Sequence, residues 1–253
     1  MAIKYIKASD YTNILVNDEV KQITLNDERY YLIDDVFYPS VTYILQYFPK
    51  NKFFEDWLKN VGRNSDIILE RAGEEGSALH DIIDRIIKGE TVRLLDDSFN
   101  LKYPINVWNM AIRFLDFYKS SNMKVLKNEI VIFSKKYVYA GTVDLVCEIN
   151  GERWIIDLKT SNSVHDSYFL QIAAYKNAWE EIYGEKIDKI GILWLKASTR
   201  TKIGFKQGEG WKLIEADDFE RYFDMFLTVY KLYFYNNPNV KPSILNYPIE
   251  LKI

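Results

Sequence analysis

The chain has 253 residues, 48% hydrophobic and 27% charged, a balance that excludes wholesale disorder and suits one domain around one core. Lys+Arg 33 against Asp+Glu 36 leaves a net charge of -3, which excludes a blanket of positive charge but leaves room for a local basic groove. A single cysteine, Cys147, excludes a disulfide framework, a cysteine-rich zinc module and a cysteine-ligated iron–sulfur cluster, and two histidines exclude a multi-histidine metal site.

Any metal must therefore lean on carboxylates. The opening residues, MAIKYIKASDYTN, hold no apolar signal core, and the longest purely apolar run is Ile192 to Leu195. The expectation is an intracellular protein without a membrane span.

Residues 1–37 alternate loosely between polar and apolar and read as short strands or an ordered arm. Ser40 is a good N-cap for a helix carrying Val41, Ile44, Leu45 and Phe48, which Pro49 ends. A second helical stretch runs from Lys52 to Lys59. Residues 64–88 read as two helices or as one interrupted at Gly73 and Gly76, with Ser77 able to cap the later part. Leu79, Ile82, Ile83, Ile86 and Ile87 form its apolar stripe. A further helix covers roughly 104–121.

The period then changes to two. Glu129 to Ser134, Tyr139 to Ile149 and Glu152 to Lys159 read as strands. A long helix follows from Ser167 to Tyr183, then a buried-type strand from Lys189 to Lys196. Asp217 is placed to cap a last helix to Asn236, whose recurring aromatics read as core. The fold class is α/β (α+β), with a small mixed sheet flanked by helices.

Asn150-Gly151 between two strand patterns signals a two-residue type I′ hairpin. Counting outward sets Glu148 opposite Arg153, Cys147 opposite Trp154, Leu145 opposite Ile156, Asp144 opposite Asp157 and Thr142 opposite Lys159. One face is then apolar from Cys147/Trp154 to Val143/Leu158, and a one-residue slip would destroy this. The two aspartates would have Cβ atoms ~5 Å apart, which is unfavourable unless a cation lies between them or one is protonated. Lys159 shares their face, ~7 Å beyond Asp157 along the strand. Oxygen ligands in this arrangement suit Mg²⁺ or Mn²⁺, and the set is equipment for metal-assisted phosphodiester hydrolysis. Asp-x-Lys alone is common as a solvated polar face; the opposed aspartate is what tips the balance. His80, at the margin of its helix's stripe, reads as a packed histidine or as a ligand. Gln171 and Tyr175 share a helix face with Tyr168 and Trp179.

In order and spacing, Gly76-x-x-x-His80, Asp144, Asp157-Leu158-Lys159 and Gln171-x-x-x-Tyr175 resemble the PD-(D/E)XK nucleases of the RecB-like branch. Pro39-Ser40-Val41-Thr42, Trp57 before Gly62, Arg71-Ala72, and Tyr139-Ala140-Gly141-Thr142-Val143-Asp144 are similar to the mitochondrial genome maintenance exonucleases and their phage relatives. The resemblance spans about residues 39–196. It implies a restriction-endonuclease-like core in one nuclease domain. Residues 1–38 would be its arm, 39–122 a helical part, 123–200 the catalytic core, and 201–253 the C-terminal helix and tail. His80, Asp144, Asp157 and the Leu158 backbone carbonyl would hold the metal, and Lys159 would aid deprotonation of the attacking water. Glu129 matches the acid that opens the first core strand. A turn at Lys135-Lys136 would set it opposite Thr142, with a strand-end surface acid as the other reading. Gln171, Tyr175, Ser40, Thr160 and Ser161 would support the site and the DNA.

Val143 stands where the family name has proline, and the single cysteine excludes members with an iron–sulfur cluster as close models. Lys196, Arg200, Lys202 and Lys206 with Phe205, and Lys135 and Lys136 with Tyr137 and Tyr139, have the composition of a single-strand groove or of ordinary solvated charge. No Gly-x-Ser-x-Gly elbow, Walker loop, His-Glu-x-x-His or dinucleotide fingerprint occurs.

The expected activity is that of a Mg²⁺/Mn²⁺-dependent deoxyribonuclease, an exonuclease acting on ends or single strands in replication, recombination or repair. The expected compartment is a bacterial or phage-host cytoplasm, and the expected protein partners are a helicase, recombinase or single-strand-binding protein. A nuclease-fold DNA-binding scaffold that no longer cuts is the competing reading.

Overall fold

The computed structural model describes residues 2–5, 15–17, 20–25, 28–195 and 210–252. The N-terminal arm is a sheet. Strands β2 (Leu15–Asn17), β3 (Val20–Leu25), β4 (Glu28–Ile33) and β5 (Val36–Pro39) form an antiparallel meander, and β1 (Ala2–Tyr5) pairs with a strand at the other end of the chain, β11 (Pro248–Lys252). Ser40 then caps α1 (Val41–Ile44), its Oγ accepting from Tyr43 N at 3.0 Å, and a 3-10 turn runs from Leu45 to Tyr47. Asn51 caps α2 (Lys52–Val61) in the same way.

α3 (Ser65–Ile87) is one uninterrupted helix that passes through Gly73, Gly76 and Ser77, so Ser77 caps nothing. Its stripe of Leu79, Ile82 and Ile83 is buried against Val107, Met110, Ala111, Phe114 and Phe117 of α4 (Ile105–Ser120). Tertiary burial outweighs the cost of about 1 kcal/mol that each interior glycine imposes on a helix.

The central sheet holds β6 (Lys124–Ser134), β7 (Tyr139–Ile149), β8 (Glu152–Lys159), β9 (Lys189–Trp194) and β10 (Lys212–Glu215) in the order β10-β9-β8-β7-β6. All neighbours are antiparallel except β8 and β9, which are joined through α5 (Asp166–Tyr183). A parallel pair needs such a crossover, so the helix between two strand patterns and the mixed sheet are one fact. The last helix, α6 (Phe219–Asn236), is capped by Asp218 rather than Asp217, whose carboxylate instead accepts from the Tyr222 hydroxyl.

Two cores cover the sheet. Leu145, Cys147, Trp154, Ile156 and Leu158 pack with α3 and α4. Val146, Ile155 and Ile192 pack with Ile172, Ala173 and Ala174 of α5 and Phe223, Phe226 and Tyr233 of α6. Val143, expected on the first face, belongs to the second core. Phe219, Tyr222, Phe223, Phe226, Tyr230 and Tyr233 of α6 belong to this core as expected, whereas Tyr235 is exposed. Tyr139 is fully buried, with its hydroxyl bonded to Ala174 O, and is no stacking platform. Within the described residues, no helix is long and apolar enough to cross a membrane.

Candidate active site

The β7–β8 hairpin turns at Asn150 (φ 54) and Gly151 (φ 82), both left-handed as a type I′ turn requires. Its register runs as counted, from Ile149–Glu152 through Glu148–Arg153 and Cys147–Trp154 to Leu145–Ile156. Glu148 and Arg153 face each other, but the guanidinium turns to Glu185 at 3.1 Å. Beyond Leu145–Ile156 the ladder ends, so Asp144 and Asp157 are not a ladder pair. The Asp144 carboxylate replaces the missing backbone acceptor, with Oδ2 taking the Leu158 N–H at 2.7 Å. At Ala140 the other side of β7 is met by Ser40 in a parallel bridge. The opening is therefore bounded by β8 on one side and by the end of the N-terminal sheet on the other.

Glu129 is not opposite Thr142. The β6–β7 connection occupies Lys135 to Val138, two residues longer than expected, and pairs Val131 with Thr142, Ile130 with Val143 and Asn128 with Leu145. Glu129 is thereby level with Asp144. Its φ of 46 puts a left-handed residue inside the strand, a strain of about 1–3 kcal/mol located at the candidate site.

His80, on α3, faces both acids. Its Nδ1 is 3.1 Å from Glu129 Oε1 and 3.6 Å from Asp144 Oδ1. These three side chains offer ligand atoms that all lie within 4.8 Å of one another. Burial alone would lower the His80 pKa, but the Asp144 charge and the Glu129 hydrogen bond outweigh it and hold the ring up to about 9. The Asp144 carboxyl is raised, chiefly by burial and further by Glu129, against the pull of His80.

Asp157 lies deeper, 1% exposed. Its Oδ1 accepts from Gln171 Nε2 at 3.0 Å. Its buried Oδ2 forms an ion pair with Lys159 Nζ, 2.8 Å away. Burial, with the Asp144 charge, pushes the Asp157 carboxyl up to about 6 although Lys159 opposes it. Burial works against the Lys159 ammonium, yet Asp157 and Asp144 together raise its pKa. The ammonium also donates to Gln171 Oε1 at 3.2 Å and sits 4.7 Å from the centre of the Tyr168 ring. Gln171 Nε2 further donates to the Tyr175 hydroxyl at 2.9 Å.

Gln171 and Tyr175 are buried behind the carboxylates, where they organise Asp157 and Lys159. Ser40 is 2% exposed and its hydroxyl serves the α1 cap and Thr42. Thr160 and Ser161 follow β8 and are partly exposed. Lys196, Arg200, Lys202, Phe205 and Lys206 lie outside the described residues.

The donor set fits a hard divalent cation. His80, Glu129 and Asp144 supply one imidazole nitrogen and two carboxylate oxygens, and Asp157, whose buried Oδ2 pairs with Lys159, lies beside that group rather than in it.

No family model matches the chain, and no curated protein matches it. Among solved structures it is similar to a crystal structure named "Putative exonuclease" from Eubacterium rectale, with 14% identity, 68% of each chain covered and a TM-score of 0.42.

Proposed function

We propose that this protein is a divalent-metal-dependent nuclease that hydrolyses phosphodiester bonds of DNA, acting as an exonuclease on ends or single strands. The observation that carries this reading is the opened end of the β7–β8 hairpin, where His80, Glu129 and Asp144 bring ligand atoms within 4.8 Å of one another and Asp157 is paired with Lys159 alongside. A divalent cation held by His80, Glu129, Asp144, Asp157 and the Leu158 carbonyl would supply charge neutralisation at the phosphate and acidify the attacking water.

The chain's own groups do the rest. Lys159 is an ammonium whose raised pKa suits it to donate to the attacking water or to a phosphate oxygen as charge builds there. Its expected role in aiding deprotonation of the attacking water stands beside one of orientation and charge stabilisation. Gln171 holds Lys159 and Asp157 with one amide, so both point into the same space. Tyr175, in turn, holds Gln171.

The test is incubation of end-labelled single- and double-stranded DNA with Mg²⁺ or Mn²⁺, beside Lys159→Ala and Asp157→Ala and with a covalently closed circle. Linear DNA should be degraded from its ends, the circle spared, and each variant slowed by at least ~10²-fold. A wild-type protein that leaves every substrate intact would overturn the enzyme reading and leave the DNA-binding scaffold. Cleavage of the circle would overturn the exonuclease assignment alone.

A further inference from the structure

The N-terminal sheet reaches the candidate active site through one hydrogen-bonded chain. Gln22 on β3 and Tyr31 on β4 are a cross-strand pair, and the Gln22 amide donates to the Tyr31 hydroxyl at 2.9 Å. The Tyr31 hydroxyl is itself 2.9 Å from Thr142 Oγ1 on β7. Tyr31 is 2% exposed, and burial raises its pKa, so it stays a protonated donor. Because its oxygen already accepts from Gln22, its own proton is the one available to Thr142. With Tyr31 as the donor, Thr142 accepts and its own proton is left for another partner.

The Tyr31–Thr142 contact borders the site. Thr142 and Asp144 are two residues apart on β7 and both are partly exposed, and the Tyr31 hydroxyl that meets Thr142 is near enough to Glu129 and Tyr175 to interact electrostatically with both. The spacing from Thr142 to Asp144 is ~7 Å, too far for one ligand atom to serve both. Arg29 lies on the same face of β4 as Tyr31, two residues away, exposed, and close enough to act electrostatically on the Tyr31 hydroxyl. Among the described residues it has no carboxylate partner within ion-pair distance. A hydroxyl whose proton is left free by a buried phenol, with a guanidinium on the adjoining strand that has no carboxylate partner among the described residues, is chemistry that binds an oxyanion.

We propose that Thr142, aimed by Tyr31 and Gln22 and assisted by Arg29, binds the phosphate next to the scissile one on the DNA strand. The N-terminal sheet is thus part of the substrate site. Thr142 and Arg29 touch substrate, while Tyr31 and Gln22 are positioning residues. The inference rests on the nuclease reading above and deepens it.

The experiment measures DNA affinity by fluorescence anisotropy with Ca²⁺, and steady-state cleavage with Mn²⁺, for wild type, Thr142→Val, Thr142→Ser, Tyr31→Phe and Arg29→Ala. Thr142→Val should weaken binding and raise KM roughly tenfold, the effect of losing one hydrogen bond to a charged oxygen, with kcat and Mn²⁺ affinity little changed. Thr142→Ser should restore binding. Tyr31→Phe should raise KM by about threefold, since the threonine remains but is no longer aimed. A neutral methylphosphonate at the phosphate beside the scissile one should weaken wild type but weaken Thr142→Val no further.

Wild-type affinity and KM in Thr142→Val, or methylphosphonate and valine effects that simply add, would overturn the inference while the nuclease reading stands. A wild-type protein that neither binds nor cuts DNA would overturn both. A Thr142→Val that fails to fold is recognised by its melting curve, and Thr142→Ser against Tyr31→Phe then decides: equal, wild-type KM in both would overturn the proposal.

Discussion

The two ends of the β7–β8 hairpin are built from the same strands and do opposite things. Near the turn, five residues on each side pair in unbroken register and bury Cys147 and Trp154, Leu145 and Ile156. The backbone groups from Leu145 to Ile156 are thus spent within the sheet, on one another and on β6 and β9. Past Leu145 the ladder stops, and a side-chain carboxylate stands in for a backbone carbonyl at 2.7 Å. The closed end is stabilising because its polar groups are satisfied and its side chains are apolar. The open end gathers three carboxylates, an imidazole and a lysine at a cost in desolvation. The lesson is that strand separation is the device that converts a structural hairpin into a site: backbone donors and like-charged side chains become available only where pairing is given up. Changes at the open end should therefore alter activity more than stability, and changes at the closed end the reverse.

The largest effect is expected from Asp144→Asn. Cleavage should fall by at least ~10²-fold, because a carboxylate that would hold the divalent cation is lost. Metal-free stability should not fall, since the amide oxygen can still accept from Leu158 N and a buried charge beside Glu129 is removed. Wild type should gain roughly 2–4 °C in Tm for each kcal/mol of Mn²⁺ binding, and the variant should gain less. A metal-free Asp144→Asn that melts well below wild type would break the comparison, because the open end would then be stabilising in its own right.

Protonation gives the next test. The Asp157 carboxyl rises from its ordinary 3.8 to about 6 in the fold, chiefly through burial. The folded state thus favours its protonated form, and the stability it contributes is lost as pH climbs through about 6. His80 rises from 6.5 to about 9, so its contribution is whole below 6.5 and is lost as pH climbs through about 9. Both signs agree. The Tm of metal-free protein should decline between pH 4 and 9, and saturating Mn²⁺ should flatten the decline. A metal-free Tm that rises across that range would show that other groups, not this cluster, govern the pH response.

Gly141→Ala should do harm on both counts. A Cβ there would lie 2.3 Å from Tyr175 Cε1 and 3.0 Å from its hydroxyl, inside a buried contact. Overpacking of this kind costs about 1–3 kcal/mol. Displacing Tyr175 also releases Gln171, and with it the shared hold on Asp157 and Lys159. Activity should fall further than the melting temperature explains; an active Gly141→Ala enzyme of lowered Tm would mean that Gln171 keeps its place without Tyr175.

What could be read from the sequence divides along the same line. The closed end was legible to the residue, because Asn-Gly fixes a turn type and the turn type fixes the register. The open end was legible in composition but not in geometry. Nothing local to Asp144 or Asp157 says that pairing stops there; that depends on Ser40 arriving beside Ala140 and on a carboxylate taking a backbone donor. Glu129 was placed two residues off because the β6–β7 turn runs through Val138 at φ 54, a conformation that a β-branched residue rarely signals. The phase survived, since an error of two keeps the face. Tyr31 and Gln22 went unnoticed because a loose alternation marks a strand without marking its neighbour, and their partner Thr142 is 111 residues from Tyr31.

The smallest effect belongs to the closed end. Gly151 sits at φ 82, where any residue with a Cβ meets the following carbonyl, so Gly151→Ala should cost about 1–2 kcal/mol. Nothing lies within 4 Å of the added methyl, so the whole cost is backbone strain at the turn. Strain there can be relieved by fraying Ile149–Glu152 without moving Leu145–Ile156, behind which the site opens. Tm should drop by a few degrees while kcat and KM on DNA stay at wild-type values. If Gly151→Ala instead slowed cleavage in step with its loss of stability, the closed end would be transmitting register to Asp144 and Asp157, and the two ends would act as one mechanical unit.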